Sequence, residues 1–174
     1  AAVAGLKTCG IRGFNLTMPN KNKIVELLDD LSPEAQLIGA VNTVLNDNGK
    51  LIGYNTDGYG FMQSVRDAGH DITGKNITVM GVGGASMAIC AQSALDGAAS
   101  VHIFARRTSR YWNRTQKFAE NLSAKTGCQV CLFDNDDHTA LRDSIAQSYL
   151  LINATSVGMV PDIDDTIIKD TSLF

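Results

Sequence analysis

The chain has 174 residues, 44% hydrophobic and 19% charged, the make-up of an ordinary soluble globular protein of one domain or two small ones. Its net charge of -3 gives no basic surface, which excludes nucleic acid as an expected partner, and no apolar run approaches the length that crosses a membrane. Ala1 to Leu6 is too short for a secretory leader and lacks the charged start, and four scattered cysteines (Cys9, Cys90, Cys128, Cys131) do not make a disulfide scaffold, so a reducing cytoplasm is expected.

Ala1 to Cys9 reads as the end of a helix stopped by Gly10, and Gly13 to Thr17 as a strand closed by Pro19. Asn20 is placed to cap Lys21–Leu31, where Ile24, Val25, Leu27, Leu28 and Leu31 recur with a helical period. Ser32-Pro33-Glu34-Ala35 opens a second helix, with Ser as N-cap and Pro at the first helical position, and Gly39 ends it. Val41–Leu45 and Leu51–Tyr54 then form a hairpin around Asn48-Gly49, residues that tolerate positive φ. A helix from Gly60 to Ala68, ended by Gly69, follows.

Polar residues gather at three strand ends: Asn15, Thr17 and Lys21; Asn42 and Thr43; Asn55, Thr56 and Asp57. Each group alone has a bland explanation. Asn and Thr form turns, Lys21 suits a solvated first turn, and Asp57 is placed to cap a helix. Together they suggest a site, because functional side chains collect where strands end.

From Lys75 the pattern changes to β-α-β-α-β-α-β: Ile77–Met80, Ala85–Leu95, Val101–Phe104, Trp112–Ala124, Val130–Phe133, His138–Ile145 and Tyr149–Ile152. Repeated βα units with continuous apolar strands predict an α/β fold with a Rossmann-type parallel sheet, helices on both faces and right-handed crossovers. Between its first strand and first helix lie Gly81, Gly83, Gly84 and Ala85. Such a turn brings backbone N–H groups and the positive end of a helix to one point, which holds a pyrophosphate.

The second strand of this unit speaks to the cofactor. It ends in Ala105-Arg106-Arg107-Thr108-Ser109-Arg110, with no acidic residue between Ser100 and Arg114. A carboxylate there would accept the ribose hydroxyls of NAD, whereas guanidinium groups grip a 2′-phosphate bidentately. NADP is therefore expected over NAD, with NAD still admissible. The fourth strand ends in Asn153-Ala154-Thr155-Ser156-Val157-Gly158-Met159, which places Thr155, Ser156 and Val157 beside the nicotinamide end. His70, His102 and His138 have no partners at metal-ligand spacing, and Cys128-Gln129-Val130-Cys131 lacks a second pair, so no metal is expected. The absence of a G-x-S-x-G elbow leaves hydrolase chemistry unsupported.

Six stretches in order complete the picture: Asn15-Leu16-Thr17-Met18-Pro19-Asn20-Lys21, Leu31–Ala35, Gly39–Thr43, Gly53–Gly58, Gly81–Ala85 and Asn153–Met159. Together they closely resemble the shikimate dehydrogenase family. Met18-Pro19-Asn20-Lys21 and Arg106-Arg107 are most similar to its quinate/shikimate branch. The resemblance implies a smaller α/β substrate domain (residues 1–70) joined to an NADP-binding Rossmann domain (residues 71–174), both partial, with the active site between them. It implies Lys21 and Asp57 as the catalytic pair, and Thr17, Asn42 and Asp57 as contacts to a small ring alcohol. The implied reaction is the NADP-dependent oxidation of shikimate to 3-dehydroshikimate in aromatic amino acid biosynthesis, with quinate as a further substrate.

Thr108 stands where the branch often has an Asp that tolerates NAD, which supports NADP; Ala105 replaces a usual Asn. The resemblance also implies an internal portion of a longer enzyme, without the opening Ser-x-Ser motif and the closing strands and glutamine. It leaves a homodimer open. The alternative is a non-catalytic NADP-binding sensor, which loss of Lys21, Asn42 or Asp57 would have marked; all three are present.

Overall fold

Two burial patterns separate two sheets. Strands β3 (Thr43–Asp47) and β4 (Lys50–Tyr54) bury only alternate or scattered positions, whereas β5 (Asn76–Met80) and β6 (Ser100–Ala105) are buried almost throughout. The first pattern suits a sheet with one covered face, the second a parallel sheet covered on both. The computed structural model describes residues 1–173 and has this arrangement.

The first sheet is four-stranded in the order β1-β3-β4-β2, with β1 at Gly13–Asn15 and β2 at Asp30–Leu31. β3 and β4 form the expected hairpin, turning through Asn48 (φ 51°) and Gly49 (φ 93°). Helix α1 (Ala2–Thr8) precedes this sheet. The predicted caps of α2 (Pro33–Ile38) are both present: Ser32 Oγ accepts from Ala35 N at 3.3 Å, and Gly39 takes the left-handed conformation. A cap of this kind contributes about 1 kcal/mol.

The helix expected over Lys21–Leu31, with Asn20 as its cap, does not form. Turns lead into one 3₁₀ turn at Val25–Leu27, and the chain then extends as β2, parallel to β4. The apolar spacing is real but serves packing: Ile24, Val25, Leu28 and Leu31 join Val41, Val44 and Leu51 in one cluster. The backbone finds sheet partners instead, with Asp29 N donating to Leu51 O at 2.9 Å and Ser32 N to Gly53 O at 2.8 Å. Tertiary pairing here overrides a local period. Asn20 instead closes a turn, its N–H donating to Thr17 O at 3.0 Å.

The second sheet has four parallel strands in the order β7-β6-β5-β8, with β7 at Gln129–Asp134 and β8 at Leu150–Asn153. Helices α4 (Gly84–Leu95) and α5 (Trp112–Thr126) cover one face, where Ile77, Val79, Val101 and Ile103 meet Ala88, Ala91, Phe118 and Leu122. Helix α6 (His138–Gln147) covers the other, its Leu141 packed over Met80 and Phe104. This is the Rossmann-type arrangement, in an α/β chain whose first sheet is smaller in strand length. Helix α3 (Asp57–Asp67) begins three residues before the expected Gly60 and packs along α4, its Met62 fully buried.

The α6 face carries a buried polar cluster. Thr78 Oγ1 lies 2.6 Å from Ser148 Oγ, and His102 Nδ1 shares a hydrogen bond with Ser144 Oγ at 2.9 Å beside the Phe133 ring. Burial holds the His102 imidazole below its ordinary value of 6.5. The unfolded chain therefore takes the proton first, so the contribution of His102 to stability is complete above pH 6.5 and declines as the pH falls toward its folded value. Thermal unfolding of His102→Gln followed from pH 7.5 to 5 should show a shallower loss than the parent; an identical slope would remove His102 from the acid response. Burial also pushes the Cys90 thiol up to about 12 and Cys128 to about 11, so neither supplies a thiolate.

Candidate active site

The three polar strand ends converge. Lys21 leaves the turn after β1, Asn42 immediately precedes β3, and Asp57 is the first residue of α3, where a carboxylate suits the helix dipole. Lys21 Nζ and Asp57 Oδ2 are 2.7 Å apart. Asn42 Nδ2 donates to the other oxygen, Asp57 Oδ1, at 2.8 Å. Asn42 Oδ1 in turn accepts from Thr43 Oγ1 at 2.9 Å and Thr56 N at 3.1 Å.

Both oxygens of Asp57 thus have a fixed donor, and the Asn42 amide has one possible orientation. The side chain of Lys21 is 21% exposed and that of Asp57 38%, so the pair is partly shielded yet open to a ligand.

Two of the singled-out residues have supporting work. Asn55 is buried, donates to Ala40 O at 3.1 Å and accepts from Asp57 N at 3.2 Å, fixing the start of α3. Asn15 Nδ2 donates to Thr43 Oγ1 at 2.9 Å, extending the network to β1. Thr17 is exposed in the loop after β1, and its carbonyl closes the turn to Asn20.

A cleft of about 660 Å³ opens on this network. Met18, Lys21, Asn55, Asp57 and Phe61 line one wall, and Val82, Gly83, Gly84 and Ala85 the other. The Lys21–Asp57 pair and the glycine turn thus share one cavity.

The glycine turn packs closely against the loop after β8. Gly81 has φ +113°, and a Cβ there would stand 2.9 Å from both Ala154 O and Thr155 Cγ2. Ser86, buried at the first turn of α4, donates from Oγ to Gly81 O at 2.6 Å and closes the loop. The exposed backbone of Gly83, Gly84 and Ala85 follows at the helix start.

A second cleft of about 800 Å³ lies at the carboxyl ends of the parallel strands. Gly81, Arg106, Thr108, Arg110 and the loop Thr155–Val157 line it. Asn135 lines it too, and its Oδ1 is buried without a hydrogen-bond partner among the described residues. Glycine turn, guanidinium groups and orphaned acceptor together fit a phosphorylated dinucleotide.

Arg107 takes a different course from its neighbours: its guanidinium lies 4.7 Å from the Trp112 ring centroid. Arg110 stacks on Tyr111, with Nη2 donating to the phenol oxygen at 2.7 Å. The Thr155 hydroxyl is engaged within its own loop, donating to Asn153 Oδ1 at 2.7 Å and accepting from Val157 N at 3.1 Å.

Sequence reasoning missed Ser86, Tyr111 and Asn135. Tyr111 lines both clefts. Only Ser86 had a signal, as a polar residue in the first turn of a helix whose next five residues are apolar. No group of three or more His, Cys, Asp or Glu side chains among the described residues could hold a metal. No helix among them is long and apolar enough to cross a membrane.

Residues 1–44 match the family model of the shikimate dehydrogenase substrate binding domain. A shikimate dehydrogenase (NADP(+)) of Listeria innocua serovar 6a is 47% identical over 171 residues, covering 98% of this chain. The chain is similar over nearly its whole length to members of the shikimate dehydrogenase family. It spans 58% of the length of that curated relative. The crystal structure of shikimate 5-dehydrogenase from Listeria monocytogenes, in complex with shikimate and NAD, superposes with a TM-score of 0.96 at 46% identity, over 99% of this chain and 60% of that one. Quinate dehydrogenase from Corynebacterium glutamicum, in complex with NAD, has a TM-score of 0.83 at 28% identity, over 99% and 59%. The similarity covers both halves of the chain, since the matches run well past the substrate binding domain.

Proposed function

We propose that the protein carrying this chain is an NADP-dependent shikimate dehydrogenase, which oxidises shikimate reversibly to 3-dehydroshikimate. The observation that carries the proposal is the 2.7 Å contact of Lys21 with Asp57 in a cleft whose other wall is the glycine turn. Residues 1–70 would form the substrate domain and 71–174 the nucleotide domain. The free cysteines suit a cytoplasmic setting, and assembly as a homodimer is to be read from its mass in solution.

When bound, NADP supplies the nicotinamide ring that takes the hydride. The chain's own work is to hold and move the proton. Lys21 Nζ accepts the proton of the reacting hydroxyl during oxidation and returns it during reduction. Asp57 Oδ2 holds the amine in place, and Asn42 fixes Asp57 through Oδ1. Asn42, Thr17 and Asp57 orient the ring hydroxyls, which is the positioning part of the rate.

Gly81, Gly83, Gly84 and Ala85 would cradle the pyrophosphate. Arg106, Thr108 and Arg110 would take the 2′-phosphate, and Ser156 and Val157 would border the nicotinamide end, on a loop that Thr155 shapes. Arg107 is assigned to bracing its loop through Trp112. The intact Lys21–Asp57–Asn42 network speaks against a sensor that only binds nucleotide.

The test is the appearance of reduced cofactor with shikimate, at the protein's natural length. NADP should support turnover, NAD less, with quinate run in parallel. NADP binding without turnover of either alcohol would overturn the catalytic proposal and favour the sensor.

A further inference from the structure

Two helices begin at the site, α3 with Asp57 and α4 at the glycine turn, and they are seated on each other from the first turn onward. Gly58 is buried against α4: a Cβ on it would collide with the carbonyl oxygen of Ala88, and would stand 2.8 Å from the Ala88 carbonyl carbon and 3.0 Å from Gln92 Cβ. One turn further along, Ser93 Oγ lies 3.5 Å from Met62 Sδ. At the far end Arg66 Nη1 donates to Asp96 Oδ2 at 2.8 Å, and Gln92 Nε2 holds the other Asp96 oxygen at 2.8 Å. The contacts advance in step, so the helices run side by side in the same direction. They meet at backbone distance beside Asp57 and through long side chains at the other end.

Lys21 and Asn42 lie in connections beside the first sheet, whereas Asp57 rides on a helix anchored to the Rossmann side. We infer that Gly58 is a positioning residue: its missing side chain lets α3 seat on α4 so that the Asp57 carboxylate stands at a fixed distance from the cofactor turn. The catalytic meaning of this rests on the proposed function; the geometric part does not. An added methyl group at residue 58 meets main chain, which cannot rotate aside, so α3 itself must move. The bonds that Asp57 makes at 2.7 and 2.8 Å then lengthen. Misplacement by about 1 Å costs catalysis about a hundredfold.

The experiment compares Gly58→Ala with Arg66→Ala, which loosens the same helix pair far from the site. Gly58→Ala should lower kcat by about tenfold to a hundredfold, with NADP affinity close to that of the parent. Arg66→Ala should lower the melting temperature and leave kcat unchanged. A second readout needs no turnover: limiting acetic anhydride, with mass spectrometry of the Lys21 peptide. Lys21 should label faster in Gly58→Ala and at the parent rate in Arg66→Ala.

Parental Lys21 labelling in folded Gly58→Ala would overturn the inference, whether or not the parent turns shikimate over. So would equal effects of the two substitutions on kcat and labelling. Failure of the parent to turn over tells only against the proposed function. If Gly58→Ala does not fold, Gln92→Val is the milder probe, adding a second γ-carbon beside the same seam. Lys21 labelling then decides in the same way.

Discussion

Replacing Lys21 by alanine should lower shikimate-dependent turnover by about 10²- to 10⁴-fold, the contribution of a positioned general acid–base group. The Michaelis constant for shikimate should change little, because on the proposed function the ring hydroxyls would keep Asn42 and Thr17. Asp57 would lose the partner at its Oδ2 but retain Asn42 at Oδ1, so the start of α3 stays in place and the protein folds. Steady-state kinetics at saturating NADP measures the effect, with circular dichroism as the control for folding. Turnover within about threefold of the parent would remove Lys21 from the chemistry, a threefold change being below 1 kcal/mol of transition-state energy.

Replacing Thr108 by aspartate should invert the cofactor preference. Thr108 lies in the cleft between Arg106 and Arg110. A carboxylate there pairs with those guanidinium groups and repels a 2′-phosphate. The loop is exposed, so the repulsion is that of charges near water, and the affinity for NADP should fall by about tenfold. NAD has no phosphate at that position and gains an acceptor for its ribose hydroxyl. Titrations with both cofactors decide the matter, and an unchanged NADP constant would place the phosphate elsewhere. Raised salt should weaken NADP binding to the parent more than to the variant.

The second sheet was nearly fully legible because its elements obey local rules. Continuous apolar strands, a glycine turn and amphipathic helices each announce themselves within a dozen residues. The stretch after Pro19 was not, because Ile24, Val25, Leu28 and Leu31 match a helical period while the backbone from Asp29 to Ser32 pairs with β4, far along the chain. A period reports which side chains are buried, and only the pairing partner tells whether the backbone coils or extends.

The site shows the same divide. Lys21, Asn42 and Asp57 could be named as polar residues at strand ends, but their mutual distances depend on how β1, β3 and α3 meet. Arg107 was grouped with its neighbours because sequence cannot show which arginine turns back onto Trp112. Ser86 and Tyr111 escaped notice because hydroxyls are common and their partners, the Gly81 carbonyl and the two cleft walls, are tertiary facts.

The two clefts divide the labour by address. Lys21 and Asp57 line one and Arg106, Thr108 and Arg110 the other, with Val82, Gly83 and Tyr111 common to both. Side chains without shared partners perturb free energies independently. The losses in Lys21→Ala and Thr108→Asp should therefore multiply in the double variant. On the proposed function, mutation could then retune which nucleotide is accepted while leaving Lys21 and Asp57 untouched, so the same alcohol chemistry would stay within reach of either cofactor pool.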